Sequence, residues 1–204
     1  MRLYDYAKSS AAYRVRIALN LKGVDAERVD VDLREGAQSE AAYGAVSPSG
    51  LVPALVDGDL TLGQSLAICR YLDRRHPEPR LFPEDPGAEA RATEMALTVA
   101  CDVHPLDNLR VLKYLRGPLG QDEDAVMAWY AHWIHAGFAT LERLVREHGS
   151  DTNCFGDDVT IADLCLVPQM FNARRFDVAL DAFPRLVAID GALTALPTFA
   201  DAAP

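Results

Sequence analysis

Two hydroxyl side chains stand where an extended segment gives way to a helical pattern. Ser9 and Ser10 follow Lys8 and a predicted strand over Arg2–Tyr6, and they open a predicted helix over Ser10–Lys22. A helix N-terminus presents free N–H groups and a partial positive charge, so hydroxyls there can hold an anion or a thiolate. Capping of the helix by one serine is the alternative explanation of this pattern.

A second candidate region surrounds a proline at the mouth of a strand. Pro53 cannot sit in the centre of a sheet, so it marks the entry to a strand over Pro53–Val56. If the bond before it is cis, the amide and carbonyl of Val52 are left free to pair with a peptide-like ligand. Gln64 and Ser65 then open a helix, whose N-terminus can hold a carboxylate or can simply be capped.

The first 83 residues mix short β-like runs with helical patterns in the order βαβαββα. A helix between the first two strands implies a parallel crossover, and Asp57-Gly58 is typical of an antiparallel hairpin. The prediction is a small mixed sheet covered by helices. Its remaining elements are strands at Arg28–Val31 and Leu60–Leu62, a helical turn near Glu40–Tyr43 and a helix over Ser65–Arg75.

A domain boundary is predicted near residue 83, because residues 76–87 carry four prolines and one glycine. The predicted domains are 1–83, which is α/β, and 84–204, which is all-helical. Thr160-Ile161-Ala162-Asp163 is typical of a capping box at the start of a helix. The other predicted helices span Ala88–Arg116, with a bend near Pro105, Asp122–His148 and Pro184–Leu196.

The formal net charge of −10 lies entirely in residues 84–204, since residues 1–83 are neutral overall. This charge disfavours binding to nucleic acid or to an anionic membrane, and no apolar run reaches the ~18 residues of a membrane span. The four cysteines form no CxxC motif, which is typical of reduced thiols in a cytoplasmic protein. His132 and His135 lie one helical turn apart, but nothing is spaced to complete a metal site, so no metal is expected.

Five segments resemble the signature blocks of zeta-class glutathione transferases, and the resemblance extends over nearly the whole chain. It implies glutathione as the cofactor and a homodimer as the assembly. It also implies the glutathione transferase fold, with a thioredoxin-like N-terminal domain and an all-helical C-terminal domain. The matching segments are residues 9–19, 52–55, 64–68, 102–110 and 160–169.

The zeta class contains maleylacetoacetate isomerase and the maleylpyruvate isomerases, so the resemblance implies glutathione-dependent cis–trans isomerisation of a maleyl dicarboxylate. Ser9, assisted by Ser10, is expected to stabilise the thiolate, and Arg14 to stabilise charge that develops on the substrate. The expected glutathione-binding residues are Ser9, Ser10, Val52, Pro53, Gln64, Ser65, His104, Asn108 and Arg110.

Two carboxylates on the substrate call for local positive charge, and the planar guanidinium of arginine suits them. Arg110 and Arg175 are the candidates for the distal carboxylate, with Lys8 as a lesser contributor. The resemblance to zeta-class relatives implies Arg175 rather than the adjacent Arg174. The alternative for Arg175 is an ion pair with an acidic neighbour such as Asp177. His104 and Arg110 are further candidates for stabilising charge that develops during the reaction.

One position departs from the family pattern. Maleylacetoacetate isomerases typically have Ser-Ser-Cys after the first strand, whereas Ala11 stands at the third position here. The missing thiol makes the maleylpyruvate type a serious candidate. Two other functions stay open: a general transferase or dehalogenase that consumes glutathione, and a non-catalytic interaction module on the same fold.

Overall fold

The computed structural model describes residues 1–204, and the chain divides into two compact units. Unit 1 consists of Met1–Phe82 together with Ala195–Pro204, and unit 2 consists of Pro83–Thr194. None of the helices combines the length and the apolar character that crossing a bilayer requires.

Unit 1 is built on a four-stranded mixed sheet of order β2-β1-β3-β4. Strand β1 pairs with β2 in parallel and with β3 antiparallel, and β3 pairs antiparallel with β4, so the predicted crossover and hairpin are both confirmed. The strands are β1 (Arg2–Asp5), β2 (Glu27–Asp30), β3 (Ala54–Asp57) and β4 (Leu60–Gly63).

Helices of unit 1 pack mainly through one pair, α1 (Ser10–Lys22) and α3 (Ser65–Arg75). Helix α1 ends at Gly23, whose φ of 60° is the left-handed conformation that glycine adopts without strain. The unit also contains two short helices, α2 (Ala41–Gly44) and α9 (Pro197–Ala200). Its core side chains are fully buried and include Leu3, Val15, Ile17, Ile68 and Leu72.

Unit 2 is helical, and α7 is its most buried helix because apolar side chains occupy nearly all its faces. The predicted capping box at its start is confirmed: Asp163 accepts hydrogen bonds from the Thr160 N–H (2.7 Å) and the Thr160 hydroxyl (3.1 Å). The helices are α4 (Pro86–Leu97), α5 (Leu109–Arg116), α6 (Glu123–His148), α7 (Ile161–Arg175) and α8 (Pro184–Thr194).

The helix predicted over residues 88–116, with a bend near Pro105, is instead divided into separate helices at that position. Helix α4 passes into a π-helical segment, Thr98–Val103, and the chain is then non-helical until α5 begins. Pro105 has no N–H to continue the helical ladder. Asn108 starts the next helix instead, since its side chain accepts a hydrogen bond from the Arg110 N–H at 3.2 Å.

The last residues differ from the predicted domain bounds, which placed all of 84–204 in the helical domain. Residues 195–204 group with unit 1 because their backbone carbonyls accept bonds from α1. Tyr13 donates to the Phe199 carbonyl (3.1 Å), and Arg16 donates to the Ala202 carbonyl (2.7 Å). The predicted helix to residue 196 also ends earlier, at Thr194, because Leu196 takes an extended conformation before Pro197.

Removal of the α7 cap should lower stability without altering chemistry. Asp163 is fully buried and also accepts from the Cys154 N–H at 2.7 Å, so Asp163→Ala leaves three buried donors without a partner. Loss of an ordinary helix cap lowers the free energy of unfolding by ~0.5–2 kcal/mol, which is what we expect for Thr160→Ala. For Asp163→Ala we expect a larger decrease. Urea unfolding gives the free energies, and activity per folded molecule should be unchanged.

The matched control is Asp122→Ala, which removes the exposed cap of α6, where the Asp122 carboxylate accepts only from the Ala125 N–H. Equal losses for Asp163→Ala and Asp122→Ala would contradict the expectation.

Candidate functional site

The strand register brings three of the predicted segments of unit 1 to one end of the sheet. Tyr4 pairs with Ala54, and Ala54 pairs with Gly63, so the end of β1, the start of β3 and the end of β4 lie side by side. The segments that adjoin these three strand ends are therefore neighbours by topology. Ser9 lies in the segment after β1, Val52 in the segment before β3, and Ser65 in the segment after β4.

Ser9 is the N-cap of α1, as the capping alternative predicted. Its backbone is extended (φ −78°, ψ 116°), and its hydroxyl oxygen accepts from the Ala12 N–H at 3.2 Å. A serine hydroxyl has one proton besides its two lone pairs, so the Ser9 O–H can still donate. Ser10 differs, since only 4% of it is exposed, and Lys8 is exposed.

The chain around Pro53 is held by hydrogen bonds to the residue that precedes Val52. The hydroxyls of Tyr43 (2.7 Å) and Ser47 (2.9 Å) both donate to the Leu51 carbonyl. The Val52–Pro53 peptide bond is cis. The N–H and C=O of Val52 form no hydrogen bond within the chain, so they remain available to a ligand.

Helix α3 begins without a side-chain cap. Its N-cap residue, Gln64, has φ of 65°, a left-handed conformation that is uncommon outside glycine. Ser65 is the first helical residue, and its hydroxyl accepts a hydrogen bond from Arg14 Nη1 at 3.2 Å. The first amides of a helix have no partner within it, so this terminus offers donors and a positive potential to an anion.

In unit 2, residues 104–108 connect the π-helical segment to α5, and Arg110 lies in the first turn of α5. A bond from Trp129 Nε1 to the Leu106 carbonyl (2.9 Å) ties this connection to α6. Helix α6 also packs so tightly here that a Cβ on Gly137 would lie 2.0 Å from Val103 Cγ2. Asn108 caps α5, which gives this predicted ligand-binding residue a structural task.

Asp107 is a candidate that the sequence did not single out. It is 8% exposed, and neither carboxylate oxygen has a hydrogen-bond partner. Burial raises the pKa of Asp107 to about 8. Burial also raises the pKa of Tyr130. Negative charge on Asp107 raises this pKa further, whereas the positive charge of Arg175 lowers it, so the three groups lie in one neighbourhood of unit 2. An aspartate in a proline-containing turn is ordinarily exposed, and no sequence signal distinguishes this one.

The two adjacent arginines at the end of α7 have different surroundings. Arg174 forms an ion pair with Asp190, whose carboxylate is buried. Arg175 is exposed and forms no ion pair, with Asp177 or with any other acid, and its guanidinium lies 5.1 Å from the Phe176 ring centre. Arg110 is likewise exposed and unpaired. Arg175 and Arg110 therefore remain free to bind an anion.

In both sequence and fold, the chain is similar to known proteins. Residues 3–80 match the profile of the family described as glutathione S-transferase, N-terminal domain. A probable maleylacetoacetate isomerase of Vibrio cholerae is 46% identical over 204 residues, with 99% of this chain and 94% of that protein covered. The holo structure of maleyl pyruvate isomerase, a bacterial zeta-class enzyme, superimposes with a TM-score of 0.97 at 43% identity, covering 100% of this chain and 96% of the other. The chain belongs to the zeta class of the glutathione S-transferases.

Another similar structure was solved with bound ligands. It is maleylacetoacetate isomerase from Methylobacterium extorquens AM1 with bound malonate and glutathione, with a TM-score of 0.93, 39% identity and full coverage of both chains. The family relationship confirms the predicted fold, a thioredoxin-like N-terminal domain with an all-helical C-terminal domain.

The buried carboxyl of Asp107 should make the stability of the ligand-free protein fall as pH rises. Between pH ~4 and ~8 the folded state holds a proton on Asp107 that the unfolded chain has lost, so stability decreases by up to ~1.4 kcal/mol per pH unit. Asp107→Asn removes this contribution. Urea unfolding of both proteins at pH 5 and pH 8 should therefore show that the stability of Asp107→Asn relative to the parent is higher at pH 8 than at pH 5. A constant difference between the two proteins would show that Asp107 titrates normally.

Proposed function

We propose that this protein is a glutathione-dependent cis–trans isomerase that converts a maleyl dicarboxylate, maleylpyruvate or maleylacetoacetate, into its fumaryl isomer. Such a step belongs to the breakdown of aromatic compounds such as tyrosine. The observation that carries the proposal is the meeting, at one end of the sheet, of a helix-capping hydroxyl, a free peptide unit and an uncapped helix N-terminus. Relatives with these activities match over the full chain.

The residues of unit 1 fit glutathione, which is a tripeptide with two carboxylates. The N–H and C=O of Val52 can pair with a peptide unit of the ligand. The amides at the start of α3, with the Ser65 hydroxyl, suit a carboxylate. Ser9 then provides the hydroxyl for the thiol. Gln64 and Pro53 shape these two positions through their backbone, whereas Lys8 and Ser10 are weaker candidates.

Bound glutathione supplies a thiolate that adds reversibly to the conjugated double bond, so that the bond can rotate before the thiolate leaves again. Ser9 stabilises the thiolate by donating its O–H, and the N-terminus of α1 adds positive potential. Both effects lower the thiol pKa from its usual value of about 8.5. Ser10 assists through its place in the first turn of α1.

The substrate's distal carboxylate is bound by Arg175 and Arg110, with Lys8 contributing less. Their guanidinium groups are exposed and carry no competing carboxylate, which supports this assignment over an ion pair with Asp177. His104 is partly exposed at the start of the connection that leads to α5. It is a further hydrogen-bond donor that can stabilise charge developing on the substrate. The bound malonate in the related isomerase supports a dicarboxylate as the substrate class.

A homodimer is part of the proposal, as is a cytoplasmic location. Exposed apolar side chains on α4 and α5, Leu97, Leu109 and Tyr114, support a protein–protein contact on unit 2. All four cysteines are free, which agrees with a reducing compartment.

The test of function is an absorbance assay with maleylpyruvate and with maleylacetoacetate, each with and without glutathione, in which free thiol is measured throughout. We expect isomerisation that requires glutathione and leaves its concentration unchanged. Stoichiometric loss of thiol would identify a conjugating transferase instead. Binding of glutathione without turnover of either compound would favour a non-catalytic module.

Ser9→Gly should reduce turnover more than glutathione affinity. Glycine is a tolerated N-cap, so the fold loses only a few tenths of a kcal/mol, roughly, while the hydroxyl is removed. By analogy with loss of an oxyanion donor, kcat should fall about a hundredfold. The thiolate absorbance of bound glutathione, titrated against pH, should show a raised thiol pKa in the variant. If Ser10→Ala shifts this curve and Ser9→Gly does not, Ser10 has the role assigned to Ser9.

Arg175→Met and Arg110→Met should each raise KM for the dicarboxylate about tenfold or more, because a hydrogen bond to a charged group is worth ~1.5–3 kcal/mol. Turnover of an uncharged model electrophile should hardly change. The matched control is Arg174→Met, next in sequence, whose guanidinium is already paired with Asp190. Equal losses for charged and uncharged substrates would mean that these arginines are structural.

A further inference from the structure

Two arginines lie two positions apart on α1, and both are buried, with 2% of Arg14 and 4% of Arg16 exposed. Arg16 is fully partnered. Its Nη1 donates to Asp5 Oδ1 (2.8 Å), its Nε to the Ala202 carbonyl (2.7 Å) and its Nη2 to the Ala7 carbonyl (2.9 Å). The positive charge of Arg16 is therefore balanced by a carboxylate within the chain.

Arg14 has no such balance. The only hydrogen bond of its guanidinium runs from Nη1 to Ser65 Oγ, while Nε and Nη2 have no partner, and no carboxylate pairs with it. A buried charge without a counter-ion is costly. The unbalanced Arg14 guanidinium lies beside the uncapped N-terminus of α3. The guanidinium and the helix dipole therefore both contribute positive potential at the same point.

We propose that Arg14 is a positioning residue that supplies the counter-charge for the ligand carboxylate bound at the N-terminus of α3. This inference rests on the proposed glutathione function, and it takes the γ-glutamyl carboxylate as the bound group, which the experiment below tests. Arg14 is too deeply buried to reach a ligand over the protein surface, so it acts through Ser65. Because Ser65 Oγ accepts from Arg14, its own proton is left to be donated to the carboxylate.

This role differs from the one that the sequence suggested, in which Arg14 stabilises charge on the reacting substrate. The guanidinium is held against Ser65, at the helix N-terminus that binds the carboxylate, whereas the thiol position belongs to Ser9 at the start of α1. Arg14 should therefore govern cofactor affinity, and kcat at saturating glutathione should change little.

The experiment compares two ligands by calorimetry: glutathione and its analogue 4-aminobutanoyl-cysteinylglycine, which lacks only the γ-glutamyl carboxylate. The parent protein should bind glutathione more tightly than the analogue. In Arg14→Gln, which keeps a donor for Ser65 without the charge, this preference should fall about tenfold, and analogue affinity should stay within about threefold of the parent. Arg14→Lys, which restores the charge, should recover most of the preference.

The matched control is Arg16→Lys, which alters the partnered neighbour and should lower the melting temperature while leaving the preference for glutathione unchanged. If folded Arg14→Gln weakens both ligands equally, Arg14 is merely structural and the proposal is overturned. If Arg14→Gln does not fold, loss of the preference for glutathione over the analogue in Arg14→Lys also overturns the proposal. A parent protein that binds both ligands alike refutes the carboxylate position, whereas a parent that binds neither refutes the proposed function itself.

Discussion

The buried ion pair between Arg16 and Asp5 is the interaction on which unit 1 depends. The two side chains are 4% and 3% exposed, and Asp5 also accepts from Arg28 at the surface, so one carboxylate joins β1, α1 and β2. Breaking such a pair by removing one partner typically costs about 3–5 kcal/mol. Because Arg16 also bonds the Ala7 carbonyl, the same interaction fixes the turn that carries Ser9 to the start of α1.

In this acidic chain, an arginine that is paired with a carboxylate has a structural role, whereas an unpaired arginine remains available to bind a ligand. Arg16 and Arg174 each meet a buried carboxylate, whereas their close neighbours Arg14 and Arg175 meet none. A chain of net charge −10 gives no long-range attraction to anions. Local groups whose charge is not already balanced must therefore provide the attraction.

The sequence predicted those features that depend on neighbouring residues. Ser9 and Gly23 set the ends of α1, and Thr160 with Asp163 sets the start of α7, because capping acts over three or four positions. The buried state of Arg14 could not be predicted, since its partner, Ser65, lies 51 positions away.

Asp107 was missed because its burial, like that of Arg14, is decided by residues far away in the sequence. Near Pro105 the sequence predicted a bend, whereas the structure has a full break between residues 103 and 109. There, the lost backbone donor and the Asn108 cap outweigh helix propensity. The glutathione-binding assignments came from the resemblance to the zeta class, since spacing alone favoured capping.

The return of residues 195–204 to unit 1 has a consequence for how the protein is made. The bond from Tyr13 to the Phe199 carbonyl closes a loop of 186 residues, and Phe199 is fully buried. During synthesis the first 82 residues emerge from the ribosome long before residues 195–204 do, so part of the α1 surface of unit 1 stays uncovered until those residues have been made. Closing so long a loop costs entropy and slows the final step. A fragment that stops at residue 83 would keep that surface open permanently, and unit 1 is therefore not a domain that can be cut out by its first boundary alone.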